Sequence, residues 1–508
     1  MRKRRNLDMT HGPLLGKILL FSVPVMLTSL LQVAFNAADV IVVGQFAGYS
    51  SLAAVGSSTS TIFLFINMLV GISVGVNVLI ANYVGAGDKD REISHALHTA
   101  MTVALVGGLI MGSVAIIFIP YVLHWMSTPP DVYDKALLYM RIYFSGTLFL
   151  MAYNYGTAAL RAIGDTERPL FFLIISGVTN VVLNLIFVIF LKLDVAGVAL
   201  ATIISEALSA FLVLRCLSKE TGPWRFDVRR LAIHRNALYD LCRIGVPAGI
   251  QACLFSLSNV VIQGAINTYG SLVVAACGAA ANIENVMYIL MNAFHQASMT
   301  FVGQNLGAGK WERVKRVVTI CVSLVTCVGI MEAIAARLWA PEMIGLFNSN
   351  PDVIAYGVER LLWVTAPYFV FGIADVLVGS IRGFGISVAP MVVNLFATCV
   401  FRLGWIAYLG APNCPVSLVY LSWPYRPFKL LVLPLSQDGA PSKTQRGCDH
   451  DRCLRMLVVQ KNTDPKKYCP PHEKRKSYLV WIFTDKIERL NENKLKKLVK
   501  CDKFFEIK

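Results

Sequence analysis

Asp39 is the residue best placed to do chemistry, in the run Asn36-Ala-Ala-Asp39-Val-Ile-Val-Val-Gly44. It lies deep in an apolar stretch that opens near residue 14, where an uncompensated carboxylate is expensive. It therefore reads as a functional group that can be loaded and unloaded with a proton, the plainer reading being an acid at a helix end facing water. Asn180 and Asn184 stand four residues apart in another apolar stretch, hence on one helix face. Amide oxygens can hold a hard cation or a carboxylic acid, which suits a site completed by Asp39 and Asn36. The plainer reading of such amides is interhelical glue, worth about 0.6–2 kcal/mol per contact. Further ionisable groups interrupt apolar segments at Glu206, Glu284, His295, Asp375 and Arg402. Pairing is the cheapest way to keep them there, and Glu284 or Asp375 with Arg402 is the expected ion pair. An adaptable apolar binding cleft needs aromatic faces and methionines, for which Phe63, Phe65, Met68, Tyr153, Tyr155, Tyr288, Met291 and Phe294 stand in suitable segments. Packing against core or lipid is the bland alternative for each.

The elements that must position these groups are membrane spans. The 508 residues are 56% hydrophobic and 15% charged, a composition that excludes an ordinary water-soluble enzyme or nucleic-acid reader. Apolar segments long enough to cross a bilayer run near 14–43, 51–84, 94–124, 133–159, 169–191, 195–217, 239–266, 272–306, 314–339, 354–381 and 387–410. A twelfth, near 416–435, is interrupted by Arg426, Pro427, Lys429 and Pro434, all costly in lipid. The net charge is +16, of which residues 426–508 carry +10, as 20 Lys and Arg against 10 Asp and Glu. The remaining basic residues cluster in alternate loops: Lys89 and Arg91, Arg161 and Arg168, Arg215 to Arg235, Lys310 to Arg316, and Arg382. This bias, with Met1-Arg-Lys-Arg-Arg at the start, predicts a cytoplasmic N-terminus and an even number of crossings in each half. No Gly-x-Ser-x-Gly elbow is found, since Gly71-Ile-Ser-Val-Gly75 lies within an apolar span, and His-Glu-x-x-His and Walker motifs do not occur, so neither an enzyme nor ATP drive is expected. Cys448, His450, Cys453, Cys469 and His472 are too loosely spaced for a zinc site, and no metal or cofactor is expected.

The chain also repeats itself. Pro24 answers to Pro247, Gly56 to Gly278, Gly85-Ala-Gly87 to Gly307-Ala-Gly309, Pro130-Asp-Val132 to Pro351-Asp-Val353, Arg161-Ala-Ile-Gly164 to Arg382-Gly-Phe-Gly385, and Pro169 to Pro390. Six matches in one order at a nearly constant offset predict two homologous six-helix bundles, related about an axis normal to the membrane with a cleft between them. The expected organisation is a basic N-terminus at 1–13, an N-lobe at 14–217, a basic linker at 218–238, a C-lobe at 239–435 and a soluble-looking basic tail at 436–508. The tail reads as an ending replaced by a change of reading frame, or else as an appended domain.

With those residues in view, the chain resembles the multidrug and toxic compound extrusion family, in its bacterial DinF-like branch. Asn36 to Gly44 with Leu52-Ala-Ala-Val-Gly56, Arg161-Ala-Ile-Gly-Asp165-Thr166 before Pro169, and Val302-Gly-Gln-Asn-Leu-Gly-Ala-Gly-Lys310 carry the likeness, which covers about residues 10 to 425. The resemblance implies an all-α, V-shaped membrane protein of about twelve helices in two lobes. It implies an antiporter of the bacterial cytoplasmic membrane, exchanging organic, often cationic, compounds for H+ or Na+. Asp39 falls on the family's first-helix acid, whereas Asn184 stands where some members carry an aspartate. The rival reading is a lipid-linked oligosaccharide flippase of the same broader superfamily, which would show a more cationic cavity. Partners are then small organic molecules and the bilayer, with no nucleic acid, and the expected state is a monomer.

Overall fold

The structure is a computed structural model that describes residues 7–126, 128–409 and 419–420. All its regular structure is helical. In the first half α1 (Leu14–Phe46), α2 (Tyr49–Ala86) and α3 (Asp90–Trp125) are long continuous helices. The fourth expected segment is broken into α4 (Pro130–Ser145) and α5 (Thr147–Ala162), bent by 46° at Gly146. Next come α6 (Glu167–Asn184), running straight into a π-helical stretch at Leu185–Phe190, and α7 (Asp194–Ser218). The second half opens with α8 (Arg235–Asn267), α9 (Ser271–Gly307) and α10 (Trp311–Gly345). Its broken span is α11 (Pro351–Thr365) with α12 (Tyr368–Gly383), bent by 47° beside Pro367. The described part closes with α13 (Val388–Asn394), a π-helical stretch at Leu395–Val400 and α14 (Phe401–Leu409).

Eight of these helices are long and apolar enough to cross a membrane, or ten spans if each bent pair counts as one. Their length suits a bilayer core of about 30 Å with room for tilt. Many large apolar side chains on their outer faces are exposed, among them Leu109, Ile117, Phe190 and Leu338, as expected of surfaces that meet lipid rather than water.

The internal repeat is visible in the backbone. Left-handed glycines recur at Gly48 and Gly270, Gly87 and Gly309, and Gly164 and Gly385, spaced by 222, 222 and 221 residues. The two bent spans begin at Pro130 and Pro351, again 221 apart.

The N-lobe core holds two clusters, one around Leu97, Met101, Tyr155 and Leu217 and the other around Val43, Ile119, Met140 and Val198. The C-lobe has its own, around Ile283, Ala336, Ile344 and Leu361. A fourth cluster crosses between lobes, because Leu14, Ile18, Phe21 and Val25 of α1 pack against Phe294, Phe301, Val317 and Val325 of α9 and α10. Thus α1 begins against one lobe and ends in the other.

The lobes meet most closely along α2 with α8 and α9, at the end carrying the α2–α3 and α9–α10 loops, which we call the basic end. There a Cβ on Gly85 would run into the carbonyl of Gln304, and one on Gly307 into the carbonyl of Asn82. The same two residues reach across with their amides: Asn82 Nδ2 donates to Gly383 O at 3.3 Å and Gln304 Nε2 to Ala162 O at 2.7 Å. Asn82 and Gln304 are 222 residues apart, Ala162 and Gly383 are 221 apart, so the seam is a reciprocal, symmetry-related clasp.

The expected twelfth span and the tail lie outside the described residues except for Val419 and Tyr420. These two are helical and fully buried against Ile262, Ile266, Val273 and Cys277.

Candidate functional site

Asp39 stands on the second half of α1, the part that packs on α6, where the ring of Phe35 lies against Gly177. Asn184 is the last residue of α6 before the backbone widens into the π-helical stretch, an irregularity frequent at functional positions. Its Nδ2 donates to Asp39 Oδ1 at 2.5 Å and to Asn180 Oδ1 at 3.2 Å. Asn180 and Asn184 are buried and Asp39 is half-buried. The structure thus brings together three of the four residues expected at the coupling site. Asn36 is exposed, a turn away. Asn184 Oδ1 is buried and has no hydrogen-bond partner among the described residues, so the cluster keeps an unused acceptor beside the carboxylate.

Two further elements bring polar groups near this cluster. Glu206, half-buried on α7, lies within electrostatic reach of Asp39, and Tyr139 and Tyr143, one turn apart on α4, lie within reach of both acids. Sequence reasoning singled out Glu206 without placing it and missed the two tyrosines. Their only signal was the four-residue spacing that puts both phenols on one helix face. The result is a pair of carboxylates inside apolar helices, one of them hydrogen-bonded by an amide.

The C-lobe corrects the expected pairing. Glu284 of α9 is held by Arg360 of α11, whose Nε and Nη2 donate to Oε1 at 2.9 Å and Oε2 at 3.1 Å, rather than by Arg402. Arg360 carries the same signal as the others, a charge inside the expected span 354–381, but which charge meets which depends on the rotation of each helix. Arg402 is fully buried and donates to Asn259 Oδ1 at 2.8 Å. Asp375 is likewise taken by His295, with Nδ1 at 3.2 Å from Oδ1 and 2.7 Å from the backbone carbonyl. A further carboxylate, Glu332 on α10, is buried with both oxygens lacking a hydrogen-bond partner among the described residues. It was legible as a lone acid in an apolar segment and was passed over.

Among the expected cleft residues, Tyr153 and Tyr155 are packed in the N-lobe core, and Met291 and Phe294 in the cluster between α1 and the C-lobe, instead of lining an open cleft. Phe65 packs edge-on against Phe144 with ring centres 5.4 Å apart. Met68 is exposed, and Tyr288 is half-buried with its hydroxyl accepting from Asn292 Nδ2 at 3.1 Å. The side chain of Phe63 lies outside those described. The repeat-related Arg161 and Arg382, expected only as loop charges, reach inward to Gln296 Oε1 at 2.8 Å and Gln251 Oε1 at 2.9 Å.

Two homologous helical lobes, broken spans, and ionisable groups held inside apolar helices define a polytopic membrane transporter. The MatE family model matches residues 24–186 and 247–406, one stretch in each half, and the chain belongs to that family. Among its relatives, the probable multidrug resistance protein YoeA of Bacillus subtilis is 32% identical over 386 residues, 74% of this chain and 83% of that one. YpnP of the same organism, also called a probable multidrug resistance protein, is 29% identical over 407 residues, 80% of this chain and 90% of its own. The crystal structure of a MATE protein in complex with MaL6 superposes with a TM-score of 0.78 at 20% identity, covering 84% of this chain and 96% of that one, which is a likeness of fold.

Proposed function

We propose that the chain is a secondary active multidrug antiporter that expels organic, often cationic, compounds in exchange for H+ or Na+. The observation that carries the reading is the carboxylate of Asp39, inside an apolar span, held by Asn184 Nδ2 at 2.5 Å with Asn180 behind it. An intramembrane acid with one hydrogen-bond donor and one idle amide acceptor beside it can take up an ion from one side and give it up on the other. The two lobes supply the movement: they rock about the α2, α8 and α9 contacts so that the cleft faces each side in turn. In this reading the basic end faces the cytoplasm of a bacterial cell, the protein works as a monomer, and the state described here is closed at the cytoplasmic end.

The test is efflux of a fluorescent lipophilic cation from proteoliposomes under an imposed proton or sodium gradient, for the wild-type chain and Asp39→Asn. Uphill transport driven by one gradient and lost in the variant is the expected result. Driven transport that survives the substitution would remove Asp39 from the mechanism and move attention to Glu206 and Glu332. Absence of transport under both gradients in folded protein would overturn the antiporter reading.

A further inference from the structure

The segments that lead into the two lobes cross over. Residues 7–13 precede α1, the first helix of the N-lobe, yet they lie on the C-lobe. Met9 is fully buried with Phe301, Val302 and Val314, and its carbonyl accepts from Asn305 Nδ2 at 3.1 Å and Arg313 Nε at 3.3 Å. The next two carbonyls are also taken: Thr10 O accepts from Lys310 Nζ at 3.1 Å and His11 O from Arg313 Nη2 at 2.8 Å. Leu7 touches both lobes, since it packs against this same cluster while its carbonyl would stand 2.7 Å from a Cβ on Gly164, in the α5–α6 loop.

The counterpart of this segment, by the repeat offset, is the end of the linker before α8, and it crosses the other way onto α3 of the N-lobe. His234 N donates to Thr99 Oγ1 at 3.0 Å, Thr99 Oγ1 to Ala232 O at 3.4 Å, and Asp227 N to His98 Nε2 at 3.2 Å. Phe226 is buried in the N-lobe core, and the rings of His95 and His234 stack at 3.7 Å.

We propose that these two reciprocal straps, residues 7–13 on the C-lobe and residues 226–234 on the N-lobe, are a latch that holds the transporter closed at its basic end and must yield before that end can open. The proposal rests on the alternating-access reading above. The deep seam formed by Gly85, Gly307, Asn82 and Gln304 is shaped by close backbone contact between α2 and α9. The straps differ in kind. Beside one buried apolar side chain each, Met9 and Phe226, the first grips through backbone carbonyls held by Asn305, Lys310 and Arg313 and the second through bonds to His98 and Thr99. Such hydrogen bonds can be replaced by water, as a reversible fastening requires. Each strap is also continuous with the helix that begins the opposite lobe, so movement of α1 or α8 pulls directly on it.

The first strap can be released without touching the ion site. Two spin labels, at Asp88 in the α2–α3 loop and at Lys315 near the start of α10, report the separation of the lobes at the basic end in a background whose native cysteines are replaced by serine. Distances are compared for the otherwise unmodified chain, for Lys310→Ala/Arg313→Ala, and for a chain lacking residues 1–11. The expected result is a longer-distance population raised roughly tenfold in both variants relative to the parent. A folded deletion variant, or a folded double variant if the deletion does not fold, whose distance distribution matches the parent would overturn the latch. The readout needs no substrate. A distance shift in protein that carries out no driven efflux would therefore sink the antiporter reading and leave the latch standing.

Discussion

Asp39 and its amides depend on a single side chain, Asn184, which donates to both Asp39 and Asn180. Asn184→Leu removes both bonds while keeping similar volume. A hydrogen bond to a charged group contributes about 1.5–3 kcal/mol, so gradient-driven efflux is expected to fall about tenfold or more, read as initial rates in proteoliposomes. A variant with wild-type driven rates would show that the amide only fills space. The Glu284–Arg360 pair calls for a different experiment, because it is a buried ion pair with both carboxylate oxygens occupied. Glu284→Gln leaves the guanidinium buried without its counter-charge and is expected to cost about 3–5 kcal/mol, whereas Glu284→Met with Arg360→Met removes both charges and recovers most of it. Melting of purified protein in detergent distinguishes the two. Outside the membrane, partial burial pushes the Asp8 carboxyl up, but hydrogen bonds from Thr10 and the imidazole of His11 outweigh it and hold the group at about 2, against a usual 3.8. Its contribution to the local order of the N-terminal strap, through Thr10 and His11, is therefore complete above about pH 4 and is lost as pH falls through 2.

Among the helices, close approach is set by where side chains are missing. Gly85 and Gly307 stand where α2 and α9 bring backbone against backbone, while Gly56 and Gly278, at the far ends of the same two helices, face nothing within 4 Å. Gly307→Ala must push α9 away from Asn82 and should destabilise the protein by about 1–3 kcal/mol, as overpacking of a tight interface does. Gly278→Ala on the same helix should be near neutral, and equal melting midpoints for the two variants would contradict the seam described here. The bends at Gly146 and Pro367 have the same logic at a larger scale. Each interrupts a span and divides it into two short helices, and the first of them, α4, carries Tyr139 and Tyr143 toward Asp39 and Glu206.

For the molecule as a whole, the lobes are homologous but not independent. The first turns of α1 bury Leu14, Ile18, Phe21 and Val25 on C-lobe helices, and the linker buries Phe226 in the N-lobe. An N-terminal half ending after Arg230 should therefore be protease-sensitive when made alone, with the apolar face of α1 uncovered. Co-expression with the remainder of the chain should restore a stable complex, assayed by co-purification and resistance to trypsin. Stability of the isolated half equal to that of the complex would show that the cluster shared by α1, α9 and α10 contributes little.

What the sequence determined by itself is whatever follows from periodicity, composition and local chemistry. The apolar runs fix the spans because a bilayer admits only backbone that satisfies its own hydrogen bonds. The constant offset of about 222 residues fixed the two-lobe plan, and an acid inside a span marked Asp39 as a candidate site without any neighbour being known. Tertiary structure alone decided which groups meet. Glu284 found Arg360 and not Arg402, Glu206 entered the Asp39 pocket, and Tyr155 and Met291 went into cores, because partners on different helices are set by rotation and tilt of each helix about its axis. The crossing of the straps was hidden for the same reason. Residues 7–13 read as part of a basic N-terminus, yet most of their hydrogen bonds to the C-lobe run through backbone carbonyls, which every residue carries and no pattern of side chains announces.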